Sequence, residues 1–105
     1  MGQTQSRLQL QNELEMLLHT KEVHYQPGPT VELSYPCIIY NRSNSNTAWA
    51  NGYIYRKKSR YQLTVIDQDP DSQIPDILLD HFQYIRMERT YSADYLNHWI
   101  FDLYY

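Results

Sequence analysis

The closing residues of the chain alternate between apolar and more polar side chains, and this alternation constrains the fold more than any other feature. In positions 98–105, the first set is Trp99, Phe101, Leu103 and Tyr105, and the second set is His98, Ile100, Asp102 and Tyr104. Residues 61–67 alternate in the same way. Side chains two positions apart share one face of a β-strand. Both segments therefore predict strands that turn one face toward a core.

Two other segments show helical spacing. The first carries its apolar residues at i, i+4, i+7 and i+8, namely Leu10, Leu14, Leu17 and Leu18. Ser6 and Gln9 fit a capping box, so we expect a helix over 6–20. The second helix is predicted over 72–82, capped by the segment 69–72, with Pro75 tolerated in its first turn. Its expected buried stripe is Ile74, Ile77, Leu78 and Phe82.

Shorter strands are predicted near 23–26, 37–40 and 84–90. Asn51-Gly52 is a strong signal for a type I′ turn and predicts an extended hairpin over 45–58. The order of helix, strands, helix and strands predicts an α+β fold with a mostly antiparallel sheet packed by two helices. The length of 105 residues suits one domain with a modest core.

Composition limits the classes of function. The net charge of -3 argues against a broad basic face for nucleic acid. No apolar run is long enough to cross a membrane, no secretion signal is recognisable, and the single Cys37 predicts a fold for a reducing cytosol. Eleven tyrosines exceed what one small core can hold with every hydroxyl satisfied, and tyrosine is favoured at protein interfaces. The composition therefore indicates assembly, although a tyrosine-rich core is the alternative.

Motifs that would carry catalysis or metal binding are weak. The segment 67–71 has the carboxylate spacing that opens a calcium loop, but Ser72 and Leu78 replace the required Gly and Glu. Cys37 lies within an apolar run and is expected to be buried and inert. The histidines show no pairing that suits zinc. We therefore predict no catalytic, cofactor-binding or metal-binding residue.

One basic cluster interleaves with tyrosines around the predicted hairpin. It could contact an acidic partner surface or DNA phosphates, or simply be solvated, and the negative net charge disfavours DNA. Together with the tyrosines at the end of the chain, the cluster gives the predicted interface residues: Trp49, Tyr53, Tyr55, Arg56, Lys57, Lys58, Tyr104 and Tyr105.

Three blocks of sequence also carry a family resemblance. They span positions 35–40, positions 60–72 with the run Ile-Asp-Gln-Asp-Pro-Asp-Ser, and positions 94–98 together with 101–105. Over residues 31–105 the chain resembles the small tail-terminator (tail-completion or minor capsid) proteins of long-tailed bacteriophages. It departs from the expected pattern at Tyr95, where a small polar residue such as Asn is expected.

The resemblance implies an α+β virion protein that forms a homo-oligomeric ring, usually a hexamer. The ring would cap the head-proximal end of the tail tube, end tube polymerisation and join the tail to the connector or stopper protein of the head. The resemblance implies no enzyme activity, metal or cofactor. DNA would pass through the lumen without specific binding, and no membrane would be involved. The protein would assemble in the host cytoplasm and reside in the neck of the virion.

Two alternatives remain open at this point. A head-completion or stopper protein of the neck also forms rings and is of similar size. A small DNA-contacting or enzymatic domain belongs to another class, and it would need a basic face or converging polar side chains.

Overall fold

Within the described residues, five strands form a single sheet. The computed structural model describes residues 2–19, 22–43 and 59–105, with only the backbone of residues 2–6. The strands are β1 (Val23–Tyr25), β2 (Cys37–Ser43), β3 (Arg60–Asp67), β4 (Ile85–Ala93) and β5 (Leu96–Tyr104). Their order in the sheet is β1-β2-β3-β5-β4, with β1 parallel to β2 and the other neighbours antiparallel. The predicted α+β fold with a mostly antiparallel sheet is confirmed.

The first helix, α1 (Gly2–Leu18), begins earlier than predicted. Ser6 lies inside it, so the expected capping box at Ser6 is wrong as the start of the helix. The helix also ends before position 20, because His19 takes a left-handed conformation with φ of 54°. A left-handed residue is a common way to end a helix.

The second helix, α2 (Ile74–His81), is slightly shorter than predicted. Gln73, rather than Ser72, occupies the N-cap position, and its side chain makes no capping hydrogen bond. The Ser72 hydroxyl instead accepts a hydrogen bond from the Ile74 backbone N–H at 3.3 Å. Pro75 lies in the first turn as expected, where its missing N–H leaves no bond unmade.

Both helices pack on the same face of the sheet. On that face Leu63 of β3 lies opposite Tyr40 of β2 and Phe101 of β5. The buried cluster comprises Leu10, Leu14, Val23, Ile38, Tyr40, Tyr61, Leu63, Val65, Leu78, Phe82, Phe101 and Leu103. Both helical stripes therefore meet the strand face predicted from Phe101 and Leu103.

One residue of the second stripe is misplaced in the prediction. Ile77 is 37% exposed, whereas Pro75 is buried. Ile74, Leu78 and Phe82 follow an i, i+4, i+8 spacing that aims them at the sheet, and Ile77 falls on the flank of that stripe.

A polar bridge joins α1 to the first two strands. The Tyr40 hydroxyl donates a hydrogen bond to Gln11 Oε1, and Gln11 Nε2 donates to the Val23 carbonyl at 2.8 Å. The buried hydroxyl of Tyr40 is thereby satisfied, which reduces the cost of burying a phenol. Neither described helix is both long and apolar enough to cross a bilayer.

The opposite face of the sheet, which we call the open face, carries no described helix. It presents the alternate residues of β3 and β5, among them Gln62, Ile66, Ile100 and Asp102. Some of these side chains are nevertheless buried, including Ile66, Ile100 and Asp102. The open face therefore mixes apolar and charged groups.

Candidate assembly surface

Most of the predicted interface residues lie outside the described residues. This group comprises Trp49, Tyr53, Tyr55, Arg56, Lys57 and Lys58, which fall within 44–58, as does the whole of the predicted hairpin over 45–58. Of the described residues on either side of this segment, Ser43 of β2 pairs with Arg60 of β3. The hairpin and its role in assembly stay predictions.

Tyr104 and Tyr105 lie within the described part of the chain. Tyr104 is buried on the open face. Tyr105 packs against the core: its ring meets that of Phe82 edge-on at 6.1 Å, and its hydroxyl donates to the Glu13 carboxylate. This burial goes against the expectation that the two tyrosines serve an interface more than the core. Their part in assembly stays a prediction.

The described tyrosines divide between the interior and the surface. Tyr40, Tyr61 and Tyr104 are buried, whereas Tyr91 and Tyr95 are 44% and 99% exposed. Part of the tyrosine content therefore belongs to the core, which is the alternative that the composition left open. Tyr91 and Tyr95 lie together on one hairpin, formed by β4 and β5, whereas Tyr35, which is 37% exposed, lies before β2.

A two-residue turn joins β4 to β5. Ala93 pairs with Leu96, and the intervening Asp94 and Tyr95 have φ values of 54° and 63°. Two successive positive φ values are typical of a type I′ turn, which favours Asn and Gly. This requirement explains why a small polar residue is expected at position 95, and it makes Tyr95 a strained as well as an exposed residue.

The sequence prediction missed this turn. Strands were expected over 84–90 and 98–105, with a longer connection between them. Asp94-Tyr95 lacks the Asn-Gly signature that marks such turns. The sequence also shows no clear alternation after the turn, because Tyr95 and Leu96 are adjacent apolar residues and Asn97 and His98 are adjacent polar ones.

An aromatic and cationic ladder runs along the open face of this hairpin. The rings of Tyr91 and His98 stack at 4.5 Å with an interplanar angle of 7°. The Arg89 guanidinium lies 5.6 Å from the centre of the Tyr91 ring. Such contacts hold partly exposed aromatic side chains in fixed orientations, which lowers the entropy that a partner would have to remove on binding.

A charged cluster occupies the other end of the open face. Asp102 is 3% exposed, and its two carboxylate oxygens contact Arg60 at 3.1 Å and Arg86 at 3.5 Å. A hydrogen bond to Asp102, reinforced by the negative charge of that residue, raises the pKa of Glu88. Glu88 enters the cluster because β4 is irregular between Met87 and Arg89, where its register against β5 shifts.

A partly open pocket of about 290 Å³ lies over this charged cluster. Its walls include Asn41, Ser43, Arg60, Gln62, Glu88 and Asp102. The pocket is at the small end of the range for ligand sites. Its lining can donate and accept hydrogen bonds, so it suits one small amphipathic group better than a large apolar ligand.

The acidic segment after β3 is occupied by its own turn. The Asp67 carboxylate accepts the backbone N–H of Asp69 at 3.1 Å, and Asp69 accepts that of Asp71 at 2.9 Å. Asn97 Nδ2 also donates to the Asp67 carbonyl at 3.2 Å. These bonds give the carboxylates a structural role in the strand-to-helix connection. Among the described residues, no group of three or more side chains is placed to hold a metal ion.

Burial also determines the chemistry of Cys37. The residue lies fully buried at the start of β2, and burial raises the pKa of its thiol to about 11. Its thiolate, the reactive form, is therefore disfavoured at neutral pH, which agrees with the inert role expected from the sequence.

Comparison with known proteins gives no further guide to the family. No protein-family model, curated protein or solved structure matches this chain.

Proposed function

We propose that this protein is a structural subunit of a bacteriophage tail, in which copies form a six-fold ring at the head-proximal end of the tube. The ring would end tube polymerisation and present a surface to the head connector. The resemblance of residues 31–105 to tail-terminator proteins supports this function. The proposal assigns the protein no catalytic step and no cofactor.

One structural observation supports an assembling protein in particular, namely the exposed end of the β4–β5 hairpin. β4 is an edge strand of nine residues, most of them exposed, and Tyr95 at the end of the hairpin is almost entirely in contact with solvent. A strand edge and an exposed aromatic side chain are both places where another chain can bind, and the charged residues and register shift of β4 restrict the edge more than they restrict Tyr95. Both are useful in a subunit that is covered by its neighbours.

Electron microscopy of the purified protein, alone and mixed with purified tail tubes, tests the function. We expect rings that bind one end of each tube and stop further addition of tube subunits. A second sample, in which the protein is mixed with portal or adaptor rings instead of tubes, distinguishes a tail terminator from a stopper protein. Binding to those rings without binding to tubes would assign the protein to the head side of the neck, and binding to neither would contradict both functions.

A further inference from the structure

Two complementary features lie at opposite ends of the β4–β5 hairpin. The turn with Asp94 and Tyr95 forms one end, and the pocket over Asp102 forms the other. Seven positions separate Tyr95 from Asp102, which corresponds to roughly 23 Å of extended strand. The turn of one chain therefore cannot reach the pocket of the same chain.

The turn presents a side chain that is suited to insertion. Tyr95 is 99% exposed and adopts φ of 63°, a conformation that costs a tyrosine on the order of 1 kcal/mol. Folding of the single chain gains nothing from this arrangement, because the ring is left in water. Tyrosine is among the residues that most often dominate binding energy when a partner buries them.

The pocket offers what a tyrosine side chain requires. Its carboxylates, Asp102 and Glu88, can accept a hydrogen bond from a phenol, and the planar Arg60 guanidinium can stack on an aromatic ring. The charges nearby are also complementary. Asp94 is exposed beside Tyr95, and Arg86, with a side chain that is 59% exposed, lies beside the pocket.

We infer that Tyr95 of one copy inserts into the Asp102 pocket of a neighbouring copy. Each copy then uses its turn on one side and its pocket on the other, so the contact is heterologous. Repetition of such a contact produces a ring when the rotation closes. The inference deepens the proposed function and rests on it for the closure of the ring, but the contact itself can be tested without a tail tube.

Two variants separate the two halves of the contact. Tyr95→Asn removes the ring and retains a residue that accepts the turn conformation, while the pocket stays intact. Gln62→Trp fills the pocket and leaves the turn intact. If Gln62→Trp disturbs folding, Asn41→Trp serves as the pocket variant in its place. Met16→Gln, at a residue of α1 that is 72% exposed, is the control. Circular dichroism establishes that each variant is folded.

Sedimentation velocity then measures self-association. We expect the wild type and the Met16→Gln control to associate equally, and each interface variant alone to have a dissociation constant at least about tenfold higher. An equimolar mixture of Tyr95→Asn with the pocket variant should form a one-to-one dimer, because one intact turn can enter one intact pocket.

The contact is overturned if the wild type does not self-associate, if Tyr95→Asn associates like the wild type, or if the mixture stays monomeric. Failure of the proposed function gives a different result: the mixture forms its dimer and the wild type associates, but no oligomer binds tail tubes. If Tyr95→Asn still forms rings that cap tubes, the proposed function stands and the proposed contact is contradicted.

Discussion

Phe101 is the aromatic side chain at the centre of the helix-covered face. It is fully buried between Leu63 of β3 and Met87 of β4. Truncation to alanine removes a large apolar group and leaves a cavity, so we expect Phe101→Ala to lower the free energy of unfolding by about 3–5 kcal/mol. Urea denaturation measures this loss. Met16→Ala, at an exposed position, should change stability by less than about 0.5 kcal/mol, and an equal loss in both variants would contradict the assignment of Phe101 to the core.

The two arginines at Asp102 should differ in their importance. Arg60 is mostly buried, so Asp102→Ala removes the carboxylate that pairs with it at 3.1 Å and should cost about 3 kcal/mol. Arg86 is more exposed and more distant, so Arg86→Ala should cost less than about 1 kcal/mol. Thermal or urea unfolding of both variants checks this order, and a larger loss for Arg86→Ala would contradict it.

Glu88 should make stability depend on pH in an unusual direction for a carboxyl group. Its pKa is raised above the ordinary value of 4.5, chiefly by the hydrogen bond to Asp102. The folded state therefore binds the proton more tightly than the unfolded state, and this contribution is complete below pH 4.5. It is lost as the pH rises through the raised pKa.

Urea denaturation across this pH range measures the effect. As the pH rises above 4.5, the free energy of unfolding of the wild type should fall relative to that of Glu88→Gln. Glu32→Gln, at an exposed residue before β2, serves as the control and should not reproduce the trend. A constant difference between the wild type and Glu88→Gln would mean that Glu88 and Asp102 do not interact in solution.

The alternation of single residues was sufficient to predict which side of β5 meets the core. It could not predict that Asp102 pairs with Arg60, since this contact depends on the register between strands that are far apart in sequence. Gln62 lies directly opposite Asp102, so Arg60 reaches the carboxylate diagonally across the sheet. Periodicity identifies the face of a strand but not its cross-strand partners.

Among the elements, the segment 44–58 offers the clearest test of the predicted hairpin. Its flanking residues, Ser43 and Arg60, lie opposite each other in adjacent strands. Deletion of residues 47–56 therefore leaves a short connection that can still join β2 to β3. We expect the shortened chain to fold by circular dichroism and to lose ring formation in electron microscopy.

Replacement of residues 47–56 by ten Gly and Ser residues is the matched control for the deletion, because it preserves the length of the connection. It should also fold and fail to assemble. Normal rings and capped tubes from either chain would mean that the hairpin has no part in assembly.

The elements themselves were largely predictable, and their ends were not. The leucines of α1 and the i, i+4 spacing of α2 fixed the faces of both helices. Ser6 misled the prediction because a capping residue stabilises a helix only where the helix starts, and it cannot prevent the helix from extending further. The Asp94-Tyr95 turn was missed because its residues do not favour the conformation that they adopt.

For the whole molecule, the net charge of -3 predicts weak binding to DNA. A wall that attracted phosphates strongly would impede DNA passing through a ring. Fluorescence anisotropy with a labelled duplex should detect at most weak binding, which is lost by about 200 mM salt. Tight binding that resists salt would contradict the proposed role and favour a DNA-contacting protein.

The position of β5 has a consequence for biosynthesis. It is the last of the described strands to be synthesised, yet it lies between β3 and β4 in the sheet. Until residues 96–104 have left the ribosome, β3 lacks one neighbouring strand, β4 lacks the one neighbour that it has among the described strands, and the core lacks Phe101 and Leu103. A nascent chain that stops before β5 therefore cannot form this sheet. Folding must therefore await the completed strand, and so must both parts of the proposed contact, because the turn and the pocket each include residues of β5.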